Sequence, residues 1–185
     1  MYNAKIETNL MTKCFMMQTI EDFYHSVQSK IDSFNNFIST HELKTVAIAD
    51  HIGYKCSTTE EFETLRKLLE SNSHFIFQSI ISKRRIAIIE LAKPFETSCG
   101  LIQYLELSDQ KPDGSQTSGF DHLEIYPAQN TVKHLVNYLQ DKNITIQKAD
   151  RPHHVTYDLS LEGGFKVRIE AESLIQKIIR EEMRI

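Results

Sequence analysis

The first long pattern in the sequence is amphipathic and helical. Between Thr19 and Thr40 the apolar residues recur at steps of three and four, which places them on one wide helix face. These residues are Ile20, Phe23, Tyr24, Val27, Ile31, Phe34, Phe37 and Ile38. The opposite face is ordinarily polar, so we expect the helix to dock on a core rather than on a membrane. The pattern predicts an N-terminal helical segment, residues 1–44.

The period then changes to one that is typical of strands. The run 45–56 is rich in β-branched residues and predicts a strand. Thr58 and Glu61 have the spacing of a capping box, and apolar residues at helical spacing follow them. The three strand-like runs that come next are 74–82, 85–92 and 100–108. Residues 45–108 are therefore predicted to form one β-α-β-β-β module.

The same order returns after a polar linker, residues 109–119. Beyond it, a helix capped by Asn130 or Thr131 is predicted between the first two of four strands. These strands are 120–126, 144–148, 154–161 and 165–172. A last amphipathic helix, with Ser173 as a candidate cap, closes the second module, residues 120–185. We expect an α+β fold in which two tandem modules form one integrated domain.

Composition narrows the class of protein. The 185 residues include 21 Lys and Arg against 25 Asp and Glu, a formal net charge of −4, which is unlike a strongly basic nucleic-acid-binding protein. The sequence has no apolar run of about 18 residues, so we expect no membrane span. The cysteines are scattered and form no CxxC pair, which excludes a zinc ribbon and is typical of a cytoplasmic protein. A metal would need His and carboxylate ligands.

Both modules repeat a histidine and a glutamate at matching places. His51 and His122 lie in the first strand of their modules, each directly after an aspartate, and Glu106 and Glu170 lie in the last strands. Because alternate residues of a strand point the same way, each strand has an apolar face and a polar face. The polar faces could be solvated, but the repetition of His and Glu favours a shared pocket.

Two tandem modules, with His in the first strand and Glu in the last strand of each, resemble the vicinal-oxygen-chelate superfamily, which includes glyoxalase I, extradiol dioxygenases and fosfomycin-resistance proteins. Within it, the chain is most similar to the YecM-like proteins. The similarity includes the leading helix, Ala49-Asp50-His51-Ile52, Leu105-Glu106-Leu107, the strand 119–125 and the terminal helix. The resemblance implies an open, curved, barrel-like cup that binds a divalent metal.

The resemblance also implies a set of metal ligands. The ligand positions of the superfamily fall on His51, Glu106, His122 and Glu170. At the last position YecM-like proteins tend to have His, so Glu170 is closer to a glyoxalase-type site. Two imidazoles and two carboxylates suit Zn, Ni, Co, Fe or Mn without choosing among them. The alternatives are hydrogen-bonded lining histidines and solvated carboxylates.

Other residues share the predicted polar face. Glu124 and Glu170 are candidate catalytic carboxylates, and Glu124 could instead replace Glu106 as a ligand. The candidate residues of a substrate pocket are Lys55, Tyr104, His154 and Arg168. Arg168 suits an anionic substrate group, the alternative being an ion pair with Glu170 or Glu172. Asp50 and Asp121 should point to the opposite face and cap turns or strand edges.

The leading hypothesis is a divalent-metal-binding protein that binds or acts on a small molecule in the cup, as an isomerase, lyase or dioxygenase-like enzyme. The alternative is a non-catalytic small-ligand-binding protein with a degenerate metal site. We expect a cytoplasmic protein with no nucleic-acid or membrane partner. Both halves of the cup lie in one chain, so a monomer would suffice, and a dimer is also compatible.

Overall fold

The computed structural model of the protein describes residues 17–129, 131–150 and 155–182. The helices and strands of this part of the chain follow one another in the order that the sequence predicts. They are α1 (Ile20–Thr40), β1 (Ala47–Lys55), α2 (Thr59–Glu70), β2 (His74–Ile81), β3 (Arg84–Thr97), β4 (Gly100–Ser108), β5 (Gly119–Pro127), α3 (Val132–Asp141), β6 (Gln147–Asp150), β7 (Val155–Ser160), β8 (Lys166–Ile169) and α4 (Leu174–Glu182).

All the strands belong to one open, curved sheet in the order β2-β3-β4-β1-β5-β8-β7-β6. In each module the first strand pairs in parallel with the last, β1 with β4 and β5 with β8. The two modules meet where β1 and β5 pair antiparallel. This arrangement confirms the expected α+β fold with tandem β-α-β-β-β modules. The boundaries between the N-terminal segment, the two modules and the linker stay a prediction.

One face of the sheet, here called the outer face, is covered by α1, α2 and α3. The main core fills the space between these helices and the sheet. In α1 the buried residues are spaced as a helical stripe and include Phe23, Val27 and Phe34. The central strands contribute Ile52 and Leu123, which are fully buried. Burial of each large apolar side chain contributes about 1.5–3 kcal/mol.

The opposite face, here called the inner face, carries the predicted polar residues and also receives a helix. On this face α4 packs its Ile178 against Ile86 and Ile88 of β3, and Tyr104 packs against the same small cluster. Ile88 lies across the β3–β4 ladder from Glu106, so this apolar patch borders the polar residues. The pattern of apolar residues predicts α4 itself but not its position in the cup.

Local signals explain where the helices begin. The hydroxyl oxygens of Thr19, Thr58 and Thr131 accept hydrogen bonds from backbone N–H groups in the first turns of α1, α2 and α3. At α2 the predicted capping box is only half formed, because the Glu61 carboxylate accepts from the backbone N–H of Ser57 at 2.8 Å. None of the helices within the described residues is both long and apolar enough to cross a bilayer.

Strand ends differ from the predicted bounds at several places. β3 continues past Pro94 because the β3–β4 pairing is interrupted between Glu90 and Phe95, where a residue without an N–H is tolerated. In the second module β6 begins at Gln147, and β8 ends at Ile169 rather than at residue 172. The predicted start of β7 at residue 154 lies outside the described residues.

Candidate metal centre

The two repeated Asp-His pairs lie at two irregularities in the pairing of β1 with β5. One register shift spans Asp50 and His51 on β1, and the other lies at Asp121 on β5. A β-bulge adds a residue to one strand and interrupts the alternation of side chains. Each aspartate can therefore approach the ring of the histidine that follows it.

The aspartates bond to the two imidazoles. Asp50 Oδ2 lies 3.0 Å from His51 Nδ1, and Asp121 Oδ2 lies 3.1 Å from His122 Nδ1. The expectation that the aspartates point to the opposite face is therefore wrong, because it assumed regular strands. With Nδ1–H donating to a carboxylate, Nε2 keeps its lone pair, which is the arrangement of metal-binding histidines. The repeat of Asp as well as His was the signal for this role.

Three of the predicted ligands converge on the inner face. Ligand atoms of His51, Glu106 and His122 all lie within 4.8 Å of one another. The two imidazole centroids are 5.8 Å apart, with the ring planes at 84°. Gly53 explains the convergence, because it pairs with Glu106 on β4 and with His122 on β5. Both side chains thus flank one backbone position.

Gly53 also makes room for the His122 ring. A Cβ atom at this position would lie 2.3 Å from Cε1 and 2.9 Å from Nε2 of His122, far inside van der Waals contact. The His122 ring therefore lies across the backbone of β1, where only glycine permits it. Sequence reasoning did not select Gly53, although a glycine inside a strand is a known sign of close approach.

The chemistry of these residues fits a divalent metal. Within the described residues, His51 Nε2 and His122 Nε2 are buried and have no hydrogen-bond partner. A buried polar atom without a partner costs about 1–3 kcal/mol. Both histidines belong to the group that includes the half-buried Glu106. Two imidazole nitrogens and one carboxylate are a ligand set that transition metals accept with positions left open.

Electrostatics around the group favours a cation. Burial lowers the pKa of His51, but the charge of Glu124 and the bonded Asp50 carboxylate outweigh burial and raise this pKa to about 9. For Glu106, burial raises the pKa, but the neighbouring His122 and His51 rings outweigh burial, so the pKa is lowered. The carboxylates around His51 therefore stabilise positive charge at this place.

Glu124 also lies beside the His51 ring. Its Oε2 is 3.4 Å from His51 Nδ1 and has no hydrogen-bond partner within the described residues, although the side chain is almost fully buried. Asp50, His51 and Glu124 form a second group of possible ligands. Because Nδ1 is already bonded to Asp50, we interpret this group as carboxylates that support the charge and position of the His51 ring rather than as a second metal site.

Glu170 is not part of either ligand group found among the described residues. The parallel ladders explain its position. In the first module, the residue two positions after His51 is Gly53, and it pairs with Glu106. In the second module, the residue two positions after His122 is Glu124, and it pairs with Arg168. Glu170 follows two residues later, a distance of about 7 Å along a strand.

The carboxylate of Glu170 is bound from α4 instead. Lys177 Nζ lies 3.0 Å from Glu170 Oε2 and 3.9 Å from Glu124 Oε2. The backbone N–H of Leu174, at the start of α4, donates to Asp50 Oδ2 at 2.8 Å. Sequence reasoning did not select Lys177, because a lysine on an amphipathic helix is ordinarily solvated.

The remaining pocket candidates have local partners. Lys55 Nζ lies 2.5 Å from Asp121 Oδ1. Arg168 bonds Asp158 through Nε at 2.9 Å and Nη2 at 3.4 Å, so the alternative pairing with Glu170 or Glu172 is not what the structure shows. Tyr104 packs against the cluster formed by Ile86, Ile88 and Ile178, and burial raises the pKa of the Tyr104 hydroxyl. His154 lies outside the described residues.

Comparisons with known proteins identify the family. A family model described as "YecM protein" matches residues 16–179. The sequence matches none of the curated proteins with which it was compared. Similar solved structures include one described as "Structural Genomics, Protein EC4020", with 18% identity over 85% of this chain and 92% of that chain and a TM-score of 0.62. Another is the hydroxyglutarate synthase of Oryza sativa in complex with 2-oxoadipate, with 8% identity over 85% and 83% of the two chains and a TM-score of 0.51.

Structural likeness at such low identity shows the fold alone. The fold is the one expected from the resemblance to the vicinal-oxygen-chelate superfamily. The family model spans most of the chain, from the residues before α1 into α4. The chain therefore belongs to the YecM family.

Proposed function

We propose that this protein binds one divalent metal ion on the inner face, through His51, Glu106 and His122, and uses the centre to bind a small molecule. The observation that supports this most directly is that the buried Nε2 atoms of both histidines have no hydrogen-bond partner within the described residues. The same two histidines and Glu106 offer ligand atoms within 4.8 Å of one another. The Zn, Ni, Co, Fe and Mn ions all accept this donor set.

Residues around the ligands support a chemical role. Asp50 and Asp121 orient the two imidazoles through Nδ1 and keep Nε2 available. When bound, the ion would polarise an oxygen atom of the small molecule. Glu124 is almost fully buried beside His51, so it is the side chain that we propose as the proton acceptor. A carboxylate base at a metal centre suits isomerase or lyase chemistry.

We propose a small molecule as the partner and the cytoplasm as the location. Dioxygenase-like chemistry would be favoured over isomerase or lyase chemistry if the isolated protein contained Fe(II). Both modules of the cup belong to one sheet, so a single chain contains the whole proposed centre.

Metal analysis tests the proposal. The protein is purified without a histidine tag or chelator, its metal content is measured, and Zn, Ni, Co and Mn are titrated by calorimetry. We expect one bound ion for each chain, and a loss of affinity of at least about 100-fold in His51→Ala and His122→Ala. His134→Ala, at an exposed position of α3, is the matched control.

The outcomes separate the two functional hypotheses. Equal metal content in wild type and both histidine variants would contradict the proposed ligands. A wild-type protein that binds none of the ions, and whose thermal stability none of them changes, would favour the non-catalytic ligand-binding protein.

A further inference from the structure

The two modules are related residue by residue around the β1–β5 ladder. Ile52 and Leu123 directly follow the two histidines, and they pair with each other across this ladder. In the parallel ladders, the places equivalent to Tyr104 and Glu106 of the first module are Lys166 and Arg168 of the second. The place that supplies the ligand Glu106 in one module is thus occupied by an arginine in the other.

Resting on the proposed metal centre, we propose that Arg168 stands at the position of a fourth ligand, and that this side of the centre binds an anionic oxygen group of the small molecule. An arginine cannot coordinate the ion, because it is protonated and has no acceptor atom. The centre then has three protein ligands, and its open side lies toward Arg168. A carboxylate is the group that both a divalent ion and a guanidinium bind.

The surroundings of Arg168 are consistent with this role. Its side chain is 13% exposed and is fixed by Asp158 through Nε and Nη2. The third nitrogen, Nη1, is 4.0 Å from Glu124 Oε1, which exceeds hydrogen-bond distance. A fixed guanidinium loses little freedom when it binds an anion, so it can discriminate a carboxylate from a neutral group of the same shape.

Two positively charged side chains near Arg168's end of the centre also compensate the charge of the buried Glu124 carboxylate. Arg168 and Lys177 approach Glu124 from two directions, at 4.0 Å and 3.9 Å. Neither contact is short enough to be a hydrogen bond. Glu124 therefore forms no hydrogen bond with the guanidinium of Arg168. An incoming anion would not have to displace Glu124 in order to bind Arg168.

Cobalt spectroscopy tests the inference. The protein is loaded with Co(II), and glycolate and the neutral glycolamide are titrated while the visible absorption of the metal is recorded. We expect glycolate to bind at least about tenfold more tightly than glycolamide. Arg168→Met should remove this preference and change Co(II) affinity less than about threefold. Arg168→Lys should keep part of the preference, and Lys133→Met, at an exposed position of α3, should leave it unchanged.

A second variant creates the missing ligand. Arg168→Glu should add a carboxylate ligand, and Asp158→Asn is combined with it to avoid two facing carboxylates. The double variant should raise Co(II) affinity at least about tenfold and abolish the response to glycolate, because the new carboxylate takes the place of the anion and the guanidinium is gone. Asp158→Asn alone is the control. This variant keeps the test decisive if Arg168→Met does not fold.

The failure of this inference differs from the failure of the proposed function. A wild-type protein that binds no Co(II) contradicts the metal centre itself. A protein that binds Co(II) but treats glycolate and glycolamide alike, or whose Arg168→Met variant keeps the preference, overturns the role of Arg168 while leaving the centre intact.

Discussion

The imidazole of His122 lies across the backbone of Gly53, and a Cβ atom on Gly53 would be 2.3 Å from His122 Cε1. The contact joins the two central strands at the place where the candidate ligands meet. It makes a small residue on β1 a determinant of the position of the His122 ring on β5.

We expect Gly53→Ala to displace the His122 ring. The added methyl group should destabilise the protein by about 1–3 kcal/mol and weaken metal binding. Urea unfolding and metal titration measure the two effects. In a double-mutant cycle with His122→Ala, the loss of stability caused by Gly53→Ala should shrink, because the ring is gone. An unchanged loss in the His122→Ala background would contradict the steric explanation.

Asp121→Asn tests the support of His122 through Nδ1. The amide keeps the shape of the side chain but removes its charge, so we expect metal affinity to fall about 10–100-fold with little change in fold. Asp141→Asn, at the exposed end of α3, is the control for loss of one negative charge. Equal affinities in the two variants would show that Asp121 does not support the ligand.

The raised pKa of His51 predicts a pH dependence of stability in chelator-treated protein. A folded-state pKa of about 9, above the ordinary 6.5, means that the folded state binds the proton more tightly. This stabilisation is complete below about pH 6.5 and is lost as pH rises through about 9, by up to about 3 kcal/mol.

Urea unfolding between pH 6 and 10 measures this dependence. His51→Gln should flatten the fall in the free energy of unfolding across this range, whereas His134→Gln should leave it unchanged. A His51→Gln protein with the wild-type pH profile would assign the effect to another group.

Adjacent residues of α4 offer a matched pair for the docking of this helix. Ile178 is buried against β3, whereas Ile179 is 47% exposed. Ile178→Ala should cost about 2 kcal/mol or more and speed amide hydrogen exchange in α4 before the central strands. Ile179→Ala should do neither. Similar exchange in both variants would contradict docking of α4 through Ile178.

The sequence predicted the parts of the candidate centre that follow from strand alternation. His51 and His122 were identifiable because each follows an aspartate at the same place of a repeated module. Glu106 followed from its place in the last strand, and the structure brings these three residues together. The polar face on which they lie is the one that alternation predicts.

The remaining features of the candidate centre depend on how neighbouring strands align with each other, and this alignment cannot be read from the sequence. The roles of Asp50 and Asp121 depend on bulges, and a bulge is defined only by the partner strand. Glu170 matched the motif but lies about 7 Å beyond the place of Glu106, because pairing of β5 with β8 puts Arg168 there. The docking of α4 is likewise a tertiary contact between distant parts of the chain.

The pairing of Gly53 with both Glu106 and His122 has a consequence for biosynthesis. His51 lies 55 residues before Glu106 and 71 residues before His122, so the proposed ligands meet only after non-local pairing, which is the slow part of folding. A ribosome-bound chain that ends before β5 contains only two of the three proposed ligands. Acquisition of a metal at this centre would thus mark the completion of folding, and a nascent first module would not retain the ion.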